Sequence, residues 1–348
     1  MAKNILGIDI GYDCLKLVLV NGRQIKKTAM VSMPQNLVRG GRVVSVEAMA
    51  ELIRTTMKEN GINCKNAALV LPYETVFVRN VTMPLMTADQ LVYNLPYEFR
   101  DYITDELKNY IFDYAMVTTP EDLAEQEEAA EEGNETEERM AGAGRTMDLF
   151  AVAAPVSLLE ESKDMLRKAG LRLVKAAPAV CSYMALIRRL EEREEIFGRE
   201  YGILDLGYQS IRMYIFKGDR HMVSRVLEIG LSSLDEAIAD EYNIDVHLAH
   251  TYLLTNHDNC QNKERCVNAF ENISIELMRA LNFYSFNNPD SQLEDIWICG
   301  GGSTIEALRE ALSRHLDMKI HQAEELLPEG RAPEACHAFI QAIGITQD

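Results

Sequence analysis

The sequence predicts an α/β protein built from two related halves, and three observations carry that reading. A strand-turn-strand unit occurs twice, a glycine triplet joins a buried-type strand to a helix near the C-terminus, and apolar strands alternate with helical segments over most of the chain.

The first copy of the repeated unit is Gly7-Ile-Asp-Ile-Gly-Tyr-Asp-Cys-Leu-Lys-Leu-Val-Leu-Val20 and the second is Ile203-Leu-Asp-Leu-Gly-Tyr-Gln-Ser-Ile-Arg-Met-Tyr-Ile-Phe216. Aligning Asp9 with Asp205 places Gly11 on Gly207, Tyr12 on Tyr208, Asp13 on Gln209, Cys14 on Ser210, Lys16 on Arg212 and Gly22 on Gly218. Each copy reads as an apolar strand ending in Asp, a glycine-containing turn and a second apolar strand. The turn suits a polyphosphate, because glycine lets the backbone approach closely and take up positive φ, so that successive N–H groups converge on an anion. The Asp at each strand end makes sense if a hard cation, Mg²⁺ with several retained waters, lies between carboxylate and phosphate. Asp9 and Asp205 are therefore the candidate catalytic and metal-binding residues. A single Asp-x-Gly is also ordinary turn chemistry; its recurrence with both flanking strands argues for a ligand clamped from two sides.

The third element is the strand Asp295-Ile-Trp-Ile-Cys299 running into Gly300, Gly301 and Gly302. Ser303 and Glu306 have the spacing of a capping box, which predicts a helix through Leu312. A glycine triplet there admits the flat approach of a ring or sugar, beside the positive end of a helix dipole.

Taken in order, the chain reads as a first domain (1–76 plus 176–198) holding a hairpin, a further strand, the helix Val46–Asn60, the strand Ala67–Pro72 and the helix Ala179–Arg193. Residues 77–175 alternate strands and helices, including a helix at Leu158–Ala169, and read as a small split βαβ subdomain inserted in the first domain. Within it, residues 121–145 carry ten acidic and two basic residues with no aromatics, the composition of a solvated surface loop. A second domain, 199–348, has a largely helical insert at about 235–287. A ligand would lie in the cleft between the two domains.

Composition narrows the function classes. A formal charge of −19 would repel nucleic-acid phosphates. No stretch offers the ~18 uninterrupted apolar residues of a membrane span. The start Met-Ala-Lys-Asn runs directly into a strand, so no signal peptide is expected, and seven irregularly spaced cysteines suit a reducing compartment. The expected location is cytoplasmic. His247, His250, His257, Cys260 and Cys266 crowd one region, but their spacing departs from paired zinc motifs, so surface histidines and buried thiols are expected.

The order of first turn, second turn and glycine triplet resembles the actin-like ATPase superfamily, with its two phosphate loops and its adenosine loop. Further stretches resemble the PilM family of type IV pilus assembly, a relative of FtsA: Leu71–Arg79, Met83–Leu91, Pro96–Ile103, Ala169–Val174 before Pro178, Ile275–Tyr284 and Ala342–Gly344. The resemblance spans the whole chain. It implies an actin-like (ribonuclease H-like) two-domain α/β fold with a small inserted αβ subdomain, and ATP with Mg²⁺ bound by Gly11, Tyr12, Asp13, Cys14, Lys16, Gly207, Tyr208, Gln209 and Ser210, with Gly300–Gly302 at the nucleoside. Lys16 is expected to neutralise phosphate, Arg212 to lie at the surface. Glu276 and Arg279, three apart on one helix, either flank the adenine or form an exposed charge pair. The family further implies a cytoplasmic scaffold of the pilus or a related secretion machine, held peripherally at the inner face of the membrane. Its anchor would be the cytoplasmic N-terminal peptide of a PilN-like membrane protein, docked between the first domain and its insert near Arg79, Leu91, Leu95 and Phe99, unless these side chains form the insert's own core or ordinary surface. Homo-oligomerisation is left open, as are two alternatives: an FtsA-like polymer-forming membrane tether and a small-molecule kinase of the same fold.

Two departures from the family pattern bear on turnover. Tyr12, Asp13 and Cys14 stand where small hydroxyl residues are usual, and Ala177, rather than an acidic residue, precedes Pro178. The expectation is nucleotide binding with at most weak hydrolysis.

Overall fold

The computed structural model describes residues 4–119, 122, 124, 145–327 and 336–347. Most of the acidic run 121–145 lies outside the described residues. The chain divides into a larger unit, Met1–Leu71 with Met165–Asp348, and a smaller one, Pro72–Asp164.

The larger unit holds two five-stranded sheets. The first contains β1 (Asn4–Ile10), β2 (Cys14–Asn21), β3 (Gln24–Ser32), β6 (Asn66–Leu71) and β10 (Arg172–Pro178), in the order β10-β6-β1-β2-β3. The two-residue strands β4 (Val38–Arg39) and β5 (Arg42–Val43) pair separately. The second sheet contains β11 (Glu200–Leu206), β12 (Ile211–Lys217), β13 (Arg220–Leu227), β14 (Asp295–Cys299) and β15 (Lys319–Gln322), in the order β13-β12-β11-β14-β15. In each sheet the central strand has an antiparallel hairpin partner on one side and a parallel strand on the other. The duplication visible in fourteen residues is thus a duplication of whole sheets. It reaches the irregularities: the β2/β3 register shifts between Leu19 and Val20, and β12/β13 shifts at the aligned positions Ile215 and Phe216. Gly22 and Gly218 both turn at positive φ.

Helices form where apolar side chains recur on one face. The helix Val46–Glu59 is capped by Ser45, which accepts a hydrogen bond from Ala48 N, and buries Met49, Ala50, Ile53 and Met57. The helix Ala179–Glu194 buries Val180, Tyr183, Leu186, Ile187 and Leu190. Three helices, Leu231–Tyr242, Val246–Thr255 and Glu264–Asn287, separate β13 from β14 and share one apolar core with that sheet. No capping box forms after the glycine triplet: Gly301–Thr304 is a 3₁₀ turn in which Ser303 Oγ donates to Gly300 O at 2.7 Å. The helix Glu306–His315 then begins behind Ile305, without a side-chain cap.

The smaller unit is an antiparallel sheet ordered β7 (Phe77–Pro84), β9 (Thr146–Pro155), β8 (Tyr110–Met116). A capping box of Thr87 and Gln90 opens its helix Ala88–Asn94. Leu91, Leu95 and Phe99, expected at a docking groove, are instead buried in this unit's own core with Val81, Met83 and Leu149. Their spacing satisfies a core face as well as a groove, and the apolar sheet claims it. Arg79 is half-buried, its guanidinium 4.1 Å from the centre of the Tyr102 ring.

Candidate functional site

The two hairpins bring their acidic and basic residues together by register alone. Asp9 is paired with Lys16 across β1/β2, and Asp205 with Arg212 across β11/β12. Side chains of directly opposed residues share a face, so Lys16 Nζ donates to Asp9 Oδ2 at 3.1 Å and Arg212 Nη1 to Asp205 Oδ2 at 3.2 Å. Arg212 is therefore part of the site, and the surface placement expected for it is corrected. Asp9 and Asp205 are both buried. Burial alone would lower the Lys16 pKa; attraction from Asp9, Cys14 and Asp205 overcomes it and raises the value. The ammonium of the first hairpin therefore feels the carboxylate of the second.

The turn glycines act differently from the expectation. Neither Gly11 nor Gly207 has positive φ. Their need is space: a Cβ at Gly207 would lie 2.6 Å from Ser210 O, and at Gly11 3.0 Å from Cys14 O. Gly11 N donates to Cys14 O at 3.0 Å, closing the first turn. Burial pushes the Cys14 thiol up to about 11, so it stays neutral near pH 7. The second turn is braced by the helix Leu231–Tyr242, whose first N–H groups, on Leu231 and Ser232, donate to Gly207 O and Tyr208 O at 3.1 and 2.9 Å. Gly230, ahead of that helix, could carry no Cβ without running into the Tyr208–Ser210 backbone. A glycine just before a helix was the available sequence signal, and it went unread.

A cavity of about 400 Å³ is lined by Tyr12 and Asp13 of the first turn, Tyr208 and Gln209 of the second, and Met33, Gln35, Asn36 and His247. A second, of about 560 Å³, is lined by Arg225–Ile229 with Glu276, Arg279, Ala280 and Phe283. Glu276 and Arg279 are ion-paired to each other and largely exposed, while also lining this groove. Gly300 lies against the second aspartate, since a Cβ there would come within 2.6 Å of Asp205 Oδ1. Gly301 is exposed and only Leu231 approaches its missing Cβ, at 3.4 Å; Gly302 is buried against Leu206 and Leu231.

The histidines have separate tasks. His247 pairs with Gln35, and His250 Nδ1 is 2.9 Å from Asp235 Oδ2 with Nε2 3.7 Å from Asp13 Oδ1. Tyr208 packs edge-on against the His250 ring. The bond to Asp235 raises the His250 pKa against the opposing effect of burial, with the charges of Asp235 and Asp13 adding to the rise. A group with a raised folded-state pKa contributes stability that is complete below its unfolded value, about 6.5, and lost as pH rises through the folded one. The stability gap between the wild type and His250→Gln should therefore be largest at about pH 5.5 and shrink by about pH 8.5. Thermal unfolding of both proteins across that range measures it; a gap that does not change with pH would contradict the ionic role.

ATP and Mg²⁺ fit these residues on two counts. Residues of both turns, Tyr12 with Asp13 and Tyr208 with Gln209, line one cavity, and the buried carboxylates Asp9 and Asp205 lie on the strands that lead into those turns. Among the described residues no three His, Cys, Asp or Glu side chains form a metal cage, so a cation here would draw most of its ligands from phosphate and water.

The fold is shared with solved structures. The fold matches a PilM–PilN type IV pilus biogenesis complex structure at TM-score 0.78 and 22% identity, covering 98% of this chain and 97% of that one. It matches the ethanolamine utilization protein EutJ of Carboxydothermus hydrogenoformans at 0.58 and 14% identity, over 98% and 88%. MreB5 of Spiroplasma citri bound to ADP matches at 0.51 and 13% identity, over 97% and 94%. At these identities the likeness establishes an actin-like ATPase fold. Comparison with curated proteins gave no match. The family model described as Type IV pilus assembly protein PilM covers residues 7–326, from the first Asp-Gly hairpin past the glycine triplet, and the chain belongs to that family.

Proposed function

We propose that this protein is an ATP-binding scaffold of type IV pilus assembly, held at the cytoplasmic face of the inner membrane by the cytoplasmic peptide of a PilN-like protein. The observation that carries the nucleotide half is the duplicated hairpin. Two sheets of the same topology each carry a buried aspartate paired with a base and followed by a tight turn, and residues of both turns line one cavity. Asp9 and Asp205 would hold Mg²⁺ through water and phosphate, the turns Gly11–Cys14 and Gly207–Ser210 would receive the phosphates, and Gly300–Gly302 with Glu276 and Arg279 the nucleoside. In this reading the first sheet belongs to the first domain and the second sheet to the second domain. The ADP-bound MreB5 neighbour supports it.

The partner half rests on family membership and on the PilM–PilN neighbour. No helix among the described residues is long and apolar enough to cross a membrane, which leaves a protein partner as the means of attachment. On the smaller unit, Tyr93, Tyr97 and Tyr102 are exposed, and they offer an extended peptide aromatic contact at small entropic cost.

Bound ATP would stabilise domain closure rather than turn over quickly. Ala177 precedes Pro178 and supplies no group to orient water, so turnover should fall below the roughly 1 s⁻¹ lower end of ordinary enzyme rates. The test is calorimetric titration of the full chain with Mg-ATP and Mg-ADP. Saturable binding is expected; no binding at millimolar nucleotide would overturn the proposal.

A further inference from the structure

The C-terminal segment 336–347 reaches the centre of the larger unit. It is anchored to the first sheet and to the helix Ala179–Glu194: a Cβ on Gly7 of β1 would collide with Ala342 O, a Cβ on Gly344 would collide with Ser182 O of the helix, and Lys175 Nζ of β10 donates to Gln347 O at 2.6 Å. From that anchored position Gln341 crosses to the second sheet. Its Nε2 donates to Asp205 Oδ2 at 2.7 Å and to Tyr183 OH at 3.1 Å, using both amide hydrogens, and it is buried. Four residues earlier, His337 O accepts from Gly300 N at 3.2 Å. The first sheet, the second aspartate and the glycine triplet therefore meet in one short segment.

We infer that Gln341 is a positioning residue for the nucleotide site, which fixes the Asp205 carboxylate relative to the first sheet so that it faces the cation of a bound Mg-nucleotide. This rests on the nucleotide reading above. The chemistry of the side chain fits the task. Arg212 already supplies positive charge at Asp205 Oδ2, and a second cation would cancel the attraction that the carboxylate must keep for Mg²⁺. A neutral amide holds the oxygen without removing charge. Tyr183 is fully buried and its hydroxyl also meets Cys299 Sγ at 3.5 Å, so the amide is itself held from behind.

The test compares ATP affinity with Mg²⁺ and with EDTA for the full-length wild type, Gln341→Met and Tyr183→Phe. Methionine matches glutamine in length and removes both donors; phenylalanine removes only the hydroxyl that holds the amide. For the wild type, Mg²⁺ should tighten binding. Gln341→Met should keep its Mg-free affinity within about twofold and lose about tenfold of the Mg-dependent tightening, the order expected for one charge-assisted hydrogen bond. Tyr183→Phe should lose part of the same tightening, and it carries the test if Gln341→Met does not fold. An equal loss with and without Mg²⁺ would mark Gln341 as merely structural and overturn the inference, as would an undiminished Mg²⁺ effect in both variants. Absence of ATP binding by the wild type would instead overturn the nucleotide reading, and this inference with it.

Discussion

Asp9→Ala is expected to cost the folded state about 3 kcal/mol and to abolish most of the Mg-dependent binding of ATP, the largest combined effect of any single change at the site. The reason is Lys16. Its side chain is only 14% exposed and, among the described residues, its one close carboxylate partner is Asp9 at 3.1 Å, so the alanine variant leaves an ammonium buried opposite a methyl group. Removing one member of a buried pair is more damaging than removing both, because the survivor keeps its desolvation penalty. In a thermal melt the loss should appear as a fall of about 6 °C. Asp9→Asn keeps an oxygen acceptor for Lys16 and should recover much of the stability while leaving Mg-dependent binding impaired. Equal melting temperatures for the wild type and Asp9→Ala would show that the pair does not support the fold.

Gly300→Ala should be nearly as severe, whereas Gly301→Ala should fold normally. Gly300 sits at φ 82° and ψ 179°, a region that side-chain-bearing residues enter only at a cost of about 1–3 kcal/mol. Its Cβ would also press within 2.6 Å of Asp205 Oδ1 and 2.8 Å of Leu206 O, displacing the carboxylate that Arg212 and Gln341 hold. Both faults act on the same aspartate, so stability and ATP affinity should fall together. Gly301 has ordinary φ, and its missing Cβ would make only an ordinary contact with Leu231, at 3.4 Å. Only a bulkier, β-branched residue there, as in Gly301→Val, should block the nucleoside by its volume while leaving the melting temperature near that of the wild type. Calorimetry and thermal melts on the three variants check this; a Gly300→Ala protein with normal affinity would contradict the placement of the triplet against Asp205.

The fold was legible because its strongest signal is local. A strand ending in Asp, a glycine turn and a returning strand fit within fourteen residues, and a second occurrence implies a second sheet. The same local information held more than was taken from it. In a tight hairpin, Asp205 and Arg212 are opposed residues and share a face, which sets Arg212 beside the aspartate; expecting a phosphate site made mainly of backbone N–H groups leads to a surface placement instead. At the turns, close approach and not positive φ excludes a side chain at Gly11 and Gly207.

What stayed hidden depends on contacts between distant segments. Gln341 lies 136 residues from Asp205, and no spacing rule connects a glutamine in a terminal helix to a strand-end carboxylate. His250 reads as a surface histidine until the helix Val246–Thr255 sets it between Asp235 and Asp13. Leu91, Leu95 and Phe99 stood open between a docking groove and the insert's own core, because helical periodicity says which side chains share a face but not whether that face meets a partner or the protein's own sheet.

The account stands most directly on capture of a membrane-protein peptide by the nucleotide-loaded protein. The measurement is a titration of the full chain, with and without Mg-ATP, against the cytoplasmic N-terminal peptide of a PilN-like protein, with anionic lipid vesicles as the comparison surface. The account predicts saturable peptide binding that Mg-ATP strengthens, and no sedimentation with vesicles, from which a charge of −19 is repelled. Vesicle binding without peptide binding would contradict it.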